Sequence, residues 1–227
     1  GWGRGLGPAA ARPAVGGAPG RAGAAKNLTA AQRGAAATPK AGAATARALT
    51  LGSSGIPASV SGALGADGSG THAPAFKGTL DARIGGFQTK VDVIAIDRLL
   101  YVKLPFTTEF APVDPKEYHA PDPAQLFSRE GGITSLMTAT TNLVEGKPTR
   151  DGADVLTTIT GKLPGASVVK LLSIGDPAKT FDITYRITDP GGELRSVTMV
   201  GPFYQGATST YTLTLDKYGA PVTISKP

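Results

Sequence analysis

The chain contains no cysteine, which excludes disulfides, thiolate metal ligands and cysteine nucleophiles from its chemistry. It has no apolar run near the roughly 18 residues that a membrane-spanning helix needs. Histidine occurs only twice, at His72 and His119, so a Ser-His-Asp arrangement would have to use one of these. No G-x-S-x-G elbow is present to hold its serine. Acidic residues are missing from the whole leading stretch. The first is Asp67, and seven basic residues precede it (Arg4, Arg12, Arg21, Lys26, Arg33, Lys40, Arg47). The rest of the chain then holds 16 basic and 17 acidic residues, so the formal charge of +6 belongs to the leading segment and the body is close to neutral. A nucleic-acid partner would rest on that tail alone, and none is expected.

Residues 1–46 are almost entirely Ala, Gly, Pro, Arg and Lys. Only Trp2, Leu6, Val15 and Leu28 are large and apolar. Such a stretch buries too little surface to offset its chain entropy, so disorder or weak helix is expected there. An Ala-rich helix over 30–46 is interrupted by Pro39. Gly1, Gly3, Gly5 and Gly7 have no strand before them and do not make a phosphate-binding loop. Asn27-Leu28-Thr29 has the spacing of a glycosylation sequon. The segment has no continuous apolar stretch that would read as a signal peptide.

The body, 47–227, is rich in strand signals. Between Phe76 and Leu104 three strands share faces. Phe76, Leu80, Ala82 and Ile84 alternate with Lys77, Thr79, Asp81 and Arg83. A Gly85-Gly86 hairpin pairs Ile84 with Phe87, Leu80 with Val91 and Gly78 with Val93. A second turn at Asp97-Arg98 pairs Ala95 with Leu100, Val93 with Val102 and Val91 with Leu104. One face of this meander is apolar, and the other is charged, with Asp92 opposite Lys103. Leu49–Leu51 begins an earlier strand, and a weaker one is read at 60–64.

After a Pro-rich connection, Asp122-Pro123 is a helix start, with a capping side chain and then proline at the first helical position. The spacing of Ile133, Leu136, Met137 and Thr140 predicts a narrow helix from Pro123 to about Asn142. Strands are expected at 143–148 and 155–163, then a short helix at 166–172. Further strands follow at 181–187, at Leu194–Met199 with a bulge, at 210–215 and, briefly, at Val222–Ile224. The sum is about ten antiparallel strands with two or three short helices.

Catalytic chemistry is sparse. Asp114, Glu117, His119 and Asp122 crowd one loop and offer a metal site or an acid–base pair, but their spacing matches no metal signature, and a solvated loop accounts for them. No Walker A or dinucleotide fingerprint occurs in the body. No catalytic residue, metal or cofactor is expected. The apolar sheet face must be covered, either by full packing or by a partly filled cavity that takes an apolar ligand.

A resemblance enters with the order of short motifs from Leu100 onward: Leu100-Tyr101-Val102-Lys103-Leu104, Asp122-Pro123-Ala124-Gln125, Gly132-Ile133, Arg150-Asp151-Gly152, Thr160-Gly161-Lys162 and the run from Leu215 to Val222. Over about Leu49 to Pro227 the chain resembles the actinobacterial lipoproteins of the LppX, LprA, LprF and LprG family. The resemblance implies an α+β fold similar to the LolA and LolB carriers: one strongly curved antiparallel half-barrel, with short helices covering its concave face around an apolar cavity. It implies a non-catalytic protein of the extracytoplasmic cell envelope that binds acylated lipids or glycolipids and carries them between membrane and outer envelope. The implied partners are the lipid, the membrane surface and a lipid efflux permease, with the protein itself a monomer. Laid on the alternation above, the expected lipid-contacting set is Leu80, Ile84, Val91, Val93, Val102, Leu104, Ile133, Leu136, Met137, Val155, Ile159, Val168, Leu172, Ile183, Tyr185, Tyr211 and Leu213.

The sequence departs from the family in four places. The lipobox cysteine is absent from these residues, residues 1–46 resemble nothing in the family, Asp97-Arg98 replaces an Asp-Gly turn, and Tyr218 replaces a Trp. Two other readings stay open: an envelope interaction module with a solidly packed sheet, and a lipid hydrolase working from the loop at 109–122.

Overall fold

The computed structural model describes residues 46–115 and 121–227. The expectations for residues 1–45, and those for Glu117 and His119, lie outside the described residues. Twelve strands make one open antiparallel sheet: β1 (Ala46–Ser54), β2 (Gly62–Thr71), β3 (Ala75–Ile84), β4 (Phe87–Ile96), β5 (Leu99–Lys103), β6 (Ala111–Val113), β7 (Thr141–Glu145), β8 (Thr149–Asp151), β9 (Asp154–Pro164), β10 (Thr180–Thr188), β11 (Leu194–Tyr204) and β12 (Ala207–Asp216). The spatial order is β6-β5-β4-β3-β2-β1-β12-β11-β10-β9-β7, with β8 beside β9. Two meanders are thus joined where the first strand pairs with the last.

Away from the bulges, alternation is in phase across this seam. One row of paired residues runs Ile159, Tyr185, Val197, Leu213, Leu51, Ala66, Leu80 and Val91. A second runs Leu215, Leu49, Gly68, Gly78, Val93 and Val102. A third runs Arg47, Gly70, Phe76, Ala95 and Leu100. All of these lie on the inner, covered face. Its buried members form a single core cluster drawn from both meanders. The opposite face carries threonines and exposed ion pairs such as Lys103–Asp92 at 3.0 Å and Lys90–Asp81 at 3.5 Å. Such exposed pairs contribute little to stability.

Both hairpin turns of the first meander form as read. Gly85 and Gly86 have positive φ, and so do Asp97 (54°) and Arg98 (62°). The second turn therefore holds two non-glycine residues in the left-handed region, which costs some strain at each. The register of β3 with β4 is the expected one, and β5 pairs as expected through Val93–Val102. Leu104 is a correction: β5 ends at Lys103, a turn follows in which the Thr107 amide donates to the Leu104 carbonyl, and Leu104 does not reach Val91. The bulge in β11 is present, since Arg186 faces Ser196 while Ile187 faces Leu194.

The cover is smaller than the sequence suggested. The helix expected over 123–142 is two pieces, a 3-10 turn at Pro123–Phe127 and the short α1 at Ser135–Ala139. Asp122 does cap the first, accepting from the Ala124 amide at 2.9 Å. Gly131-Gly132 separates the pieces, with Gly131 at φ 82°. A loop bond from the Ile133 amide to the Leu126 carbonyl at 3.1 Å then folds the chain back over the sheet. The third piece, α2 (Gly165–Leu172), matches the expectation and ends in a left-handed Ser173. The strand expected at Val222–Ile224 is coil.

β2 was the least legible strand because it reads GALGADGSGT. Its inner-face glycines have a steric reason. A Cβ on Gly70 would lie 2.2 Å from carbons of the Phe127 ring, and one on Gly68 would lie 2.6 Å from the tip of Phe76. Phe76 and Phe127 stack above this trough with centroids 6.1 Å apart. Gly70→Ala is therefore expected to destabilise the fold by about 1–3 kcal/mol through overpacking, seen as a melting temperature several degrees lower. Gly52→Ala on β1, where an added Cβ meets nothing within 4 Å, is expected to leave it unchanged or raised. Equal melting temperatures for the two variants would contradict the trough.

Candidate lipid-binding face

The inner face is packed unevenly. Toward β9–β12 it is solid. Phe181, Ile183, Tyr185, Val197, Met199 and Leu213 are fully buried beneath Ile133, Leu136, Val168 and Leu172. Phe203 stacks edge-on against both Phe181 (4.8 Å) and Tyr211 (4.6 Å). The polar ends of the buried tyrosines are satisfied. Thr140 donates its hydroxyl to the Leu136 carbonyl at 2.7 Å and receives the Tyr185 hydroxyl at 2.6 Å, which ties α1 to β10. Tyr211 and Tyr204 share a bond at 2.7 Å.

Toward β3–β5 the cover runs out. Leu80 and Val102 are half-buried, and beyond them the apolar face is open to solvent: Ile84 is 51% exposed, Leu104 47%, Phe87 80% and Phe106 100%. These four lie at one end of the sheet, on the Gly85-Gly86 hairpin and the turn after β5. An apolar cavity of about 140 Å³ sits near that same end, between β1, the start of β2 and α2, lined by Leu51, Ala63, Leu172, Ile174, Tyr204 and Tyr211 among others.

Of the seventeen expected contact residues, Val91, Val93, Ile133, Leu136, Met137, Ile159, Val168, Leu172, Ile183, Tyr185, Tyr211 and Leu213 join one buried cluster. Leu80, Val102 and Val155 are half-buried, and Ile84 and Leu104 are exposed. Only Leu172 and Tyr211 line the cavity. Sequence alternation found the inner face, but the expected set left out three residues that line the cavity: Leu51 within β1, Ala63 at the start of β2 and Ile174 just past α2. Phe87 was read on the apolar face opposite Ile84 but not carried into the expected contact set, and Phe106, in the turn after β5, continues no alternating stripe.

Of the loop residues that offered a catalytic alternative, Glu117 and His119 lie outside the described residues. Asp122 is occupied as the cap of the 3-10 turn, and no cluster of three potential metal ligands occurs among the described residues.

A second unusual group lies at the opposite end of the inner face. Arg47 is only 2% exposed, and its Nε and Nη1 have no hydrogen-bond partner. Its Nη2 lies 3.4 Å from the His72 ring nitrogens, while His72 Nδ1 sits 2.6 Å from the Phe127 carbonyl oxygen. Nδ1–H therefore donates to the carbonyl, and Arg47 Nη2 lies against the ring, equally far from both nitrogens. The guanidinium is sandwiched between the Phe127 and Tyr218 rings, 5.7 Å from each centroid. Burial lowers the Arg47 pKa, opposed by the nearby Tyr218.

The described architecture is an open antiparallel sheet with one apolar face under a thin helical cover. The chain belongs to the LppX_LprAFG lipoprotein family, whose pattern matches residues 30–224. That match begins inside the leading segment, ahead of the body as read from composition. Among solved structures it is similar to LprF from Mycobacterium bovis, at 16% identity and a TM-score of 0.70, covering 87% of this chain and 96% of that one. It is also similar to the Mycobacterium tuberculosis lipoprotein LppX, at 22% identity and a TM-score of 0.61, covering 86% and 96%. No curated protein matches the sequence.

The buried tyrosines make alkaline stability a test of this packing. Desolvation pushes the Tyr218 phenol up to about 12, against the opposing charge of Arg47, and burial raises Tyr185 and Tyr211 as well. A group whose pKa is raised on folding stabilises below its unfolded value, near 10, and that contribution is lost as pH rises through the folded value. The melting temperature is expected to fall steeply between about pH 10 and 12. The phenolate absorbance of these three residues should appear only as the circular dichroism of the fold is lost. Ionisation of every tyrosine near pH 10 with the fold intact would contradict it.

Proposed function

We propose that this protein is a non-catalytic carrier that takes the acyl part of a lipid or glycolipid between the inner face of the sheet and its helical cover, and moves it within the extracytoplasmic cell envelope. The observation behind this reading is the open apolar margin at Ile84, Phe87, Leu104 and Phe106, continuous with the half-buried Leu80 and Val102 and at the same end as the apolar cavity. Exposed apolar surface of this kind marks an interaction site. A margin facing the membrane would let an acyl chain pass from bilayer to sheet without crossing water.

The cavity of about 140 Å³ is below the roughly 300 Å³ at which ligand pockets begin. An acyl chain therefore needs the cover to move. The cover suits this. The five residues of α1 have no side-chain cap, and α2 has none at its N-terminus. Short helical segments without such caps open more readily than the long paired strands beneath them. Burying a roughly 16-carbon chain gains on the order of 12 kcal/mol gross, at about 0.8 kcal/mol per methylene, so no specific head-group contact is needed for tight binding.

The solid packing over β9–β12 favours the rival reading of a fully packed interaction module. Leu80→Trp separates the two. Under the carrier reading the indole takes space meant for an acyl chain, so the variant folds with a near-native melting temperature and loses retention of a fluorescent fatty acid. A large drop in melting temperature, with retention unchanged in the folded fraction, would overturn the carrier reading.

A further inference from the structure

We propose that the large open pocket at the end of the sheet opposite the apolar margin binds a phosphate-bearing anion. The pocket measures about 980 Å³. Four stretches far apart in sequence build it: the β2–β3 turn, the β4–β5 turn, the residues around Gln125 and Arg129, and the coil at 220–224. Along β4 it lies about 30 Å from Phe87, at the usual rise per strand residue. It is therefore a different site from the acyl-binding face.

Its lining carries a net positive charge. Arg98 and Arg129 line it, and among the described residues neither forms an ion pair. The one lining carboxylate among the described residues, Asp97, is held by Lys226 at 2.9 Å. His72 lines the wall, and directly behind it stands Arg47, buried and without a carboxylate partner. A buried guanidinium carries a desolvation cost that is normally offset by a nearby anion. Here the Phe127 and Tyr218 rings flank it, and its charge adds to the field at the His72 wall.

Two lining guanidinium groups, with a third buried behind the His72 wall, concentrate the field within the concavity. A doubly charged phosphate gains more from that field than a singly charged carboxylate. Its oxygens also match the forked donors of Arg98 and Arg129. Arg98 is presented by the strained Asp97-Arg98 turn, whose positive φ values fix the direction of the strand reversal.

The test uses the full chain, so that the basic leading segment is constant. Binding of inorganic phosphate and of glycerol phosphate is measured by titration calorimetry at fixed ionic strength. Binding to phosphatidylcholine vesicles with and without phosphatidic acid is measured by co-sedimentation. Arg98→Ala with Arg129→Ala is compared with a charge-matched control, Lys147→Ala with Arg150→Ala, before and within β8 at the other edge of the sheet. The expected result is a loss of about tenfold or more for the pocket pair, as for removal of charged hydrogen-bond donors, and little change for the control. Binding of the soluble phosphates identifies a free ligand, and binding of acidic vesicles alone identifies a lipid head group. Either source supports the site if the pocket pair abolishes it. Absence of binding in both formats, or equal losses in both double variants, would overturn it. Fatty-acid retention, read in parallel, should be unaffected by the pocket pair, so failure here is distinguishable from failure of the carrier reading.

Discussion

The structure depends on the pairing of its first strand with its last. Leu49 opposite Leu215 and Leu51 opposite Leu213 bring the two meanders into one register. Because strand side chains alternate with a period of two, a slip of one residue at this seam would turn one meander's apolar face to water. The in-phase rows from Ile159 to Val91 exist only because the seam holds. So does the single core that draws on both meanders.

From this seam outward the inner face changes character. On the β9–β12 side it is lined by large residues that fill the space under α1 and α2. On the β2–β3 side Ala66, Gly68, Gly70 and Gly78 leave a trough, into which Phe127 and Phe76 fit. Phe127 also accepts from His72 through its carbonyl and stacks on Arg47. One aromatic residue in a 3-10 turn thus links the cover, the trough and the buried cation. Past the trough the cover stops, and the apolar face continues bare to Phe87.

Much of the sheet was legible in the sequence because local rules decide it. The meander from Phe76 to Lys103 follows from alternation and two short turns, and its register needed no tertiary information. The bulge at Leu194 and the Asp122 cap were equally local. The misses are of other kinds. The helix expected over 123–142 had the right apolar spacing, but Gly131-Gly132 divides it and the loop bond at Ile133 redirects it. The length of β2 was hidden because its inner positions are glycine for a neighbour's sake, so no alternation remains to be read. Leu104 continued a pattern that the turn at Thr107 interrupts. The basic pocket was invisible since its arginines, histidine and C-terminal coil are joined only by the fold. The cation at its back, Arg47, looked from sequence like the last member of a basic tail.

If the cover of 123–139 and 165–172 moves to admit an acyl chain while the sheet stays fixed, hydrogen exchange with and without a bound long-chain lipid will show it: weak protection of both covering segments without lipid, a clear rise when lipid is bound, and strong protection of the 76–103 meander in both states. Equal and high protection of cover and sheet in the lipid-free protein would contradict it.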